Sequence, residues 1–116
     1  MFTQRMVWTD DTRSPLHELM RFCDPAANTI VIGTGHFLAG QVMPSEGYSR
    51  YPMREISFIL EGELETESCG KTVRLRAGEL ITIPADMRQR TTFIKETKLV
   101  YLFFGHKGHG DNDPDG

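Results

Sequence analysis

The chain has 116 residues, of which 39% are hydrophobic and 25% charged, an ordinary globular composition with room for one domain and no second core. Thirteen Lys and Arg against sixteen Asp and Glu leave a net charge of −3, so there is no overall positive field to gather phosphate backbones, and nucleic acid is excluded as the expected partner. No apolar run approaches the ~20 residues of a membrane helix, and Asp10 and Asp11 stand where a secretory signal would be apolar; the expectation is a cytoplasmic protein with no membrane partner. Cys23 and Cys69 form neither a disulfide framework nor a CxxC pair, and are read as ordinary reduced thiols.

In chain order, short segments with strand character follow one another at about 8 to 12 residues, divided by turn signals, the pattern of an all-β sandwich or barrel. The predicted strands are 17–22, 29–32, 36–42, 55–61, 63–68, 72–75, 79–83, 89–94 and 98–104. Residues 13–22 also allow a helical turn, since Leu16, Leu19 and Met20 have helix-like spacing, but Pro15 argues equally for a strand or arm. In 63–68, Glu alternates with Leu, Thr and Ser, one solvated face against one covered face. Cys69-Gly70-Lys71 predicts a hairpin turn, and Pro84 closes the strand before it. Residues 1–28 are read as an N-terminal arm or edge strand, 29–104 as the barrel, and 105–116, rich in Gly, Asp and His, as a flexible tail whose His106 and His109 are incidental.

A barrel that holds a ligand needs polar side chains at period two on otherwise apolar strands. Glu55 and Ser57 answer to this, with Ile56, Phe58 and Leu60 forming the opposite face. A carboxylate opening so apolar a strand needs a partner if buried; at a solvated mouth it would pair with Arg54 or Arg88 instead. His36 is the one histidine inside the barrel region, a candidate general base beside Glu55, or a structural histidine. Arg50, Arg54, Arg88 and Arg90 flank the same segments and allow a guanidinium fork for an anion, the plainer reading being solvated arginines.

The runs GYSRYPMREISFILEG (47–62) and GELITIPADMRQ (78–89) resemble the two-part signature of the cupin superfamily, with the spacings Glu55-x6-Gly62 and Gly78-x5-Pro84 intact. The resemblance covers 29–104 and implies a single jelly-roll β-barrel. In metal-binding cupins the ligands are two histidines, a glutamate and a third histidine, and the matching positions here hold Ser49, Tyr51, Glu55 and Gln89. One carboxylate with a serine, a phenol and an amide is a poor shell for a transition metal, so no metal and no cofactor is expected, and the family's metal-dependent activities do not carry over. Asp86 stands where the pattern has glycine. Runs such as EISFILEGELE (55–65) are similar to the ethanolamine-utilisation protein Q group of small cupins. That likeness implies a role near short amine, aldehyde or carboxylate metabolism; the kinase activity claimed for some members is not expected, because no phosphate loop is present.

With the histidines replaced, the lumen would present Ser49, Tyr51, Glu55 and Gln89, joined by Ser57, Thr91 and Tyr101, a hydrogen-bonding set suited to a small polar metabolite. The leading expectation is a metal-independent cupin in a sensing or accessory role. The alternative is a lyase, isomerase or cyclase using Tyr51, Glu55 and His36 as acid and base. The apolar side chains of the first 22 residues, Trp8 and Phe22 among them, have no core of their own and predict packing over the barrel edge or across the two-fold axis of a homodimer.

Overall fold

The computed structural model describes residues 1–26 and 28–106. Among these are nine strands and no helix: β1 (Leu16–Cys23), β2 (Asn28–Phe37), β3 (Val42–Met43), β4 (Arg54–Glu61), β5 (Glu63–Ser68), β6 (Lys71–Arg76), β7 (Leu80–Ile83), β8 (Arg90–Phe93) and β9 (Thr97–His106). They form two antiparallel sheets, one in the order β1-β2-β9-β4-β7 and the other in the order β3-β8-β5-β6. The sequence expectation of an all-β jelly roll holds, and no helix of the described residues is long and apolar enough to cross a membrane.

Period two builds the core, because alternate side chains of each strand point between the sheets. Val31 and Phe37 of β2, Ile59 of β4, Leu64 of β5, Leu75 of β6, Phe93 of β8, and Leu99 and Tyr101 of β9 form one buried cluster. Phe37 and Phe93 stack across it at 3.9 Å between ring centroids. The β5–β6 hairpin turns on Cys69 and Gly70, both at positive φ (51° and 77°), the backbone twist that two-residue hairpins favour.

Two segments expected as separate strands, 29–32 and 36–42, are largely one. β2 runs unbroken through Gly33 and Gly35, paired with β1 on one side and β9 on the other. Gly33 does not interrupt the strand; it makes room, since a Cβ there would collide with the Tyr101 ring and with the His17 carbonyl. Residues 13–22 give β1 and no helical turn. β9 runs two residues into the segment expected as tail, with Gly105 opposite Thr29 and His106 opposite Asn28; His109 and the rest of that segment lie outside the described residues. Glu63, expected on the solvated face of β5, is instead buried, its carboxylate ringed by Arg74 at 3.1 Å, Arg76 at 3.4 Å and Lys95 at 3.9 Å.

The N-terminal arm lies over the outer face of the five-stranded sheet. Trp8 Nε1 donates to the Leu99 carbonyl at 3.1 Å, Thr34 Oγ1 donates to the Val7 carbonyl, and Gln41 Nε2 donates to the Thr12 carbonyl. Beyond the arm, Phe22, Phe58, Leu60, Leu80 and Phe104 remain exposed, as do Met1, Phe2 and Met6 of the arm itself.

Candidate functional site

Between the sheets an open-mouthed cavity collects inward-facing residues of both. Ser49, Tyr51, Glu55, Ser57, Gln89, Thr91 and Tyr101 all line it, which brings together seven of the eight residues singled out in the sequence. The ladder places them. Glu55 faces Phe103 on β9 and Ile83 on β7, and Ser57, two residues on, faces Tyr101 and Ile81. Gln89 enters from the other sheet, where it and Ser49 form an isolated bridge by exchanging N–H···O bonds of 2.9 Å in both directions.

The Glu55 carboxyl is the centre of the polar set. Gln89 Nε2 donates to its Oε1 at 3.2 Å, and Ser57 Oγ donates to its Oε2 at 3.0 Å. Burial pushes the Glu55 carboxyl above its ordinary range, and the hydrogen bonds from Ser57 and Gln89 pull against that shift without cancelling it. Burial also raises the Tyr51 phenol; the neighbouring Ser49 hydroxyl opposes this and the Glu55 charge adds to it. Thr66 and Thr91 share a hydrogen bond of 2.9 Å on the opposite wall.

Asp86, in place of the pattern's glycine, adopts the backbone that glycine favours. Its φ is 63°, a region Asp tolerates better than most residues. Its N–H donates to the Tyr51 carbonyl at 2.7 Å, so the substituted turn still fixes the segment that carries Tyr51.

His36 is not in the cavity. Strand alternation turns Gly35 and Phe37 inward and His36 outward, where its Nδ1 meets the Thr9 carbonyl and its Nε2 meets Glu96 Oε2, each at 2.7 Å. The Glu96 contact, followed by that to the Thr9 carbonyl, raises the His36 pKa. The residue ties the arm to the sheet, and the set of Tyr51, Glu55 and His36 is not assembled. The arginine fork is not built either. Arg54 Nη1 donates to Thr82 Oγ1 on the outer face, Arg88 stacks over Tyr48 at 4.7 Å, and Arg90 donates to the carbonyls of Gly47 and Ser45. Glu55 accordingly pairs with neither Arg54 nor Arg88.

Sequence reading missed Thr66 and Phe103 among the lining residues. Thr66 carried the period-two signal of β5. Phe103 did not, because β9 is apolar on both faces and its alternation is invisible.

The donor set does not fit a transition metal. Among the described residues, Glu55 is the single carboxylate of the lining, Gln89 and Ser57 donate to it, and no imidazole or thiolate faces the cavity. Nor does any cluster of three or more His, Cys, Asp or Glu among the described residues have the geometry to hold a metal ion. What the arrangement can do is bind: a carboxyl, two phenols, an amide and small hydroxyls in an otherwise apolar chamber fix the orientation of a small solute.

Solved structures with the same fold include the putative ethanolamine utilization protein Q of Salmonella typhimurium LT2, 19% identical with a TM-score of 0.59 over 77% of this chain and 67% of that one. KdgF from Halomonas sp. is 16% identical, with a TM-score of 0.68 over 88% and 94%. A protein of unknown function from Rhizobium leguminosarum is 21% identical, with a TM-score of 0.65 over 91% and 100%. No curated protein matches the sequence. The EutQ-like cupin domain matches residues 34–101, more than half of the chain and the span from β2 to β9 that encloses the cavity, and the protein therefore belongs to the EutQ-like cupins.

Proposed function

We propose that this cupin binds a small polar metabolite in its lumen without a metal ion, in a sensing or accessory role in small-molecule metabolism. The observation that carries the reading is Glu55, a buried carboxyl held by Ser57 and Gln89 and open to a cavity whose other polar groups come from both sheets. A site with no use fills with apolar side chains, because buried polar groups short of partners cost about 1 to 3 kcal/mol each. With His36 on the outer face, no imidazole among the described residues stands beside Glu55 and Tyr51, which favours binding over turnover.

A thermal-shift screen of small carboxylates, amines, carbonyl and hydroxy compounds tests the reading. At least one should raise the melting temperature by several degrees at about 100 times its Kd, and the shift should vanish in Ser57→Val, which narrows the chamber. A screen with no shift overturns it. Tag-free, dialysed protein should carry well under one equivalent of Fe, Mn, Ni, Cu or Zn; stoichiometric metal lost on Glu55→Ala would contradict the metal-independent reading.

The outer face supports a homodimer. Phe58, Leu60, Leu80 and Phe104 are exposed on one side of the five-stranded sheet, beside an arm that carries exposed Met1, Phe2 and Met6, and apolar side chains gathered on one face are what a second copy would cover. Light scattering at high micromolar concentration should give twice the chain mass, and a monomer there would refute the dimer.

A further inference from the structure

We propose that the ligand of the lumen is a small organic cation, an alkylammonium ion, held between the Glu55 carboxylate and the rings of Tyr51, Phe103 and Tyr101. The inference rests on the lumen being the binding site and names the chemistry that the site selects.

Charge is the first observation. The cavity lining holds one acidic side chain and, among the described residues, no Lys, Arg or His. Three of the four flanking guanidinium groups are engaged elsewhere, Arg54 with Thr82 outside the sheet, Arg88 over Tyr48 and Arg90 on loop carbonyls, and Arg50 is likewise not part of the lining. Arg21, which influences Tyr101 from β1, is paired with Glu18 at 2.8 Å and is not part of the lining. A carboxylate in an apolar chamber without a cation is half of an ion pair, and a positively charged ligand is its complement. When ionised, Glu55 repels an anion, and a neutral solute leaves its charge uncompensated.

The rings are the second observation, independent of the first. Tyr51 and Phe103 lie 5.1 Å apart between centroids at 43°, and Tyr101 and Phe103 lie 5.1 Å apart at 50°. Three rings tilted against one another form a corner, and all three line the cavity. Phe103 is the cross-strand neighbour of Glu55, and Tyr101 that of Ser57, so the corner and the carboxyl share one wall. Ring faces attract ammonium groups, most strongly where water is excluded, and a carboxylate beside several rings is the arrangement that holds such ions. The upward push of burial on the Glu55 carboxyl is consistent with a site that lacks its counter-charge, since a cation in the chamber would act against it.

The test uses charge-varied probes of similar shape on the full chain: tetramethylammonium, tert-butanol and pivalate as one set, and ethylammonium, ethanol and acetate as the other, followed by calorimetry and thermal shift. The ammonium member of at least one set should bind roughly tenfold or more tighter than its neutral and anionic counterparts. Glu55→Gln should remove that preference, and Tyr51→Phe should keep it within about threefold while Tyr51→Leu loses it, because the ring face and not the hydroxyl makes the contact. The wild-type charge preference decides the matter even if a variant fails to fold. Stronger binding of the neutral or anionic probes overturns the cation and leaves the lumen site standing. So does a divalent metal that binds through Glu55 more tightly than either ammonium ion. If neither these probes nor the wider metabolite screen bind, the lumen reading and the cation fall together.

Discussion

Replacing Gly62 by alanine should destabilise the protein by about 3 kcal/mol, a large loss for the addition of one methyl group. Gly62 has φ of 98°, where an L side chain costs about 1 to 2 kcal/mol. A Cβ there would also strike the Glu96 carbonyl, Thr97 Oγ1 and Thr97 Cα, two of which are backbone atoms that cannot step aside. Overpacking of that kind adds about 1 to 3 kcal/mol. The place explains the conformation. Glu61 ends β4 in one sheet, Glu63 begins β5 in the other, and the chain changes sheets at Gly62 just after an irregularity in the β4–β9 register. Thr97, fully buried, braces the corner by donating to the carbonyls of Lys95 and Glu63. The glycine seven residues after Glu55 is thus the hinge between the two walls of the chamber. Urea denaturation checks the figure, and a loss below about 1 kcal/mol would show that the corner relaxes freely.

Glu55→Gln should have the opposite sign. The glutamine fits the same network, its carbonyl accepting from Gln89 and its amide donating to the Ser57 hydroxyl, while the buried charge is gone. Above the folded-state pKa of Glu55 the variant should be more stable than the wild type by on the order of 1 kcal/mol. Because burial raises the folded value above the ordinary 4.5, the folded state holds the proton more tightly than the unfolded one. Wild-type stability therefore falls as pH rises from about 4.5 to the folded value and levels off above it, a slope the variant lacks. Its advantage should shrink toward zero as the pH is lowered to that end. Denaturation midpoints across pH 4.5 to 8 measure this, and a wild type that gains on the variant with rising pH would mean that Glu55 is charge-compensated in the free protein.

Some of this chamber was legible before any coordinates, for physical reasons. Glu55 and Ser57 announced themselves as polar residues at period two beside Ile56 and Phe58, and alternation turns such a pair to one face wherever the strand lies. His36 misled, because the glycines around it hid the length of β2 and so the parity that sends Phe37 inward and His36 outward. The glycines themselves are explained only across the ladder, by the Tyr101 ring that fills the space Gly33 leaves. β9 withheld Phe103 because it is apolar on both faces, one toward the chamber and one toward the outer surface. The fates of Arg88 and Arg90 depended on Tyr48 and on loop carbonyls, contacts no spacing reveals.

The central claim is that the lumen around Glu55 is the binding site, and backbone amide shifts in 15N-labelled protein test it most directly. On titration with the strongest compound of the screen, shifts should concentrate at Tyr51, Glu55, Ser57, Thr91 and Tyr101 and be lost in Ser57→Val. Shifts confined to the outer face, at Ile32, Phe58 and Val100, would contradict it.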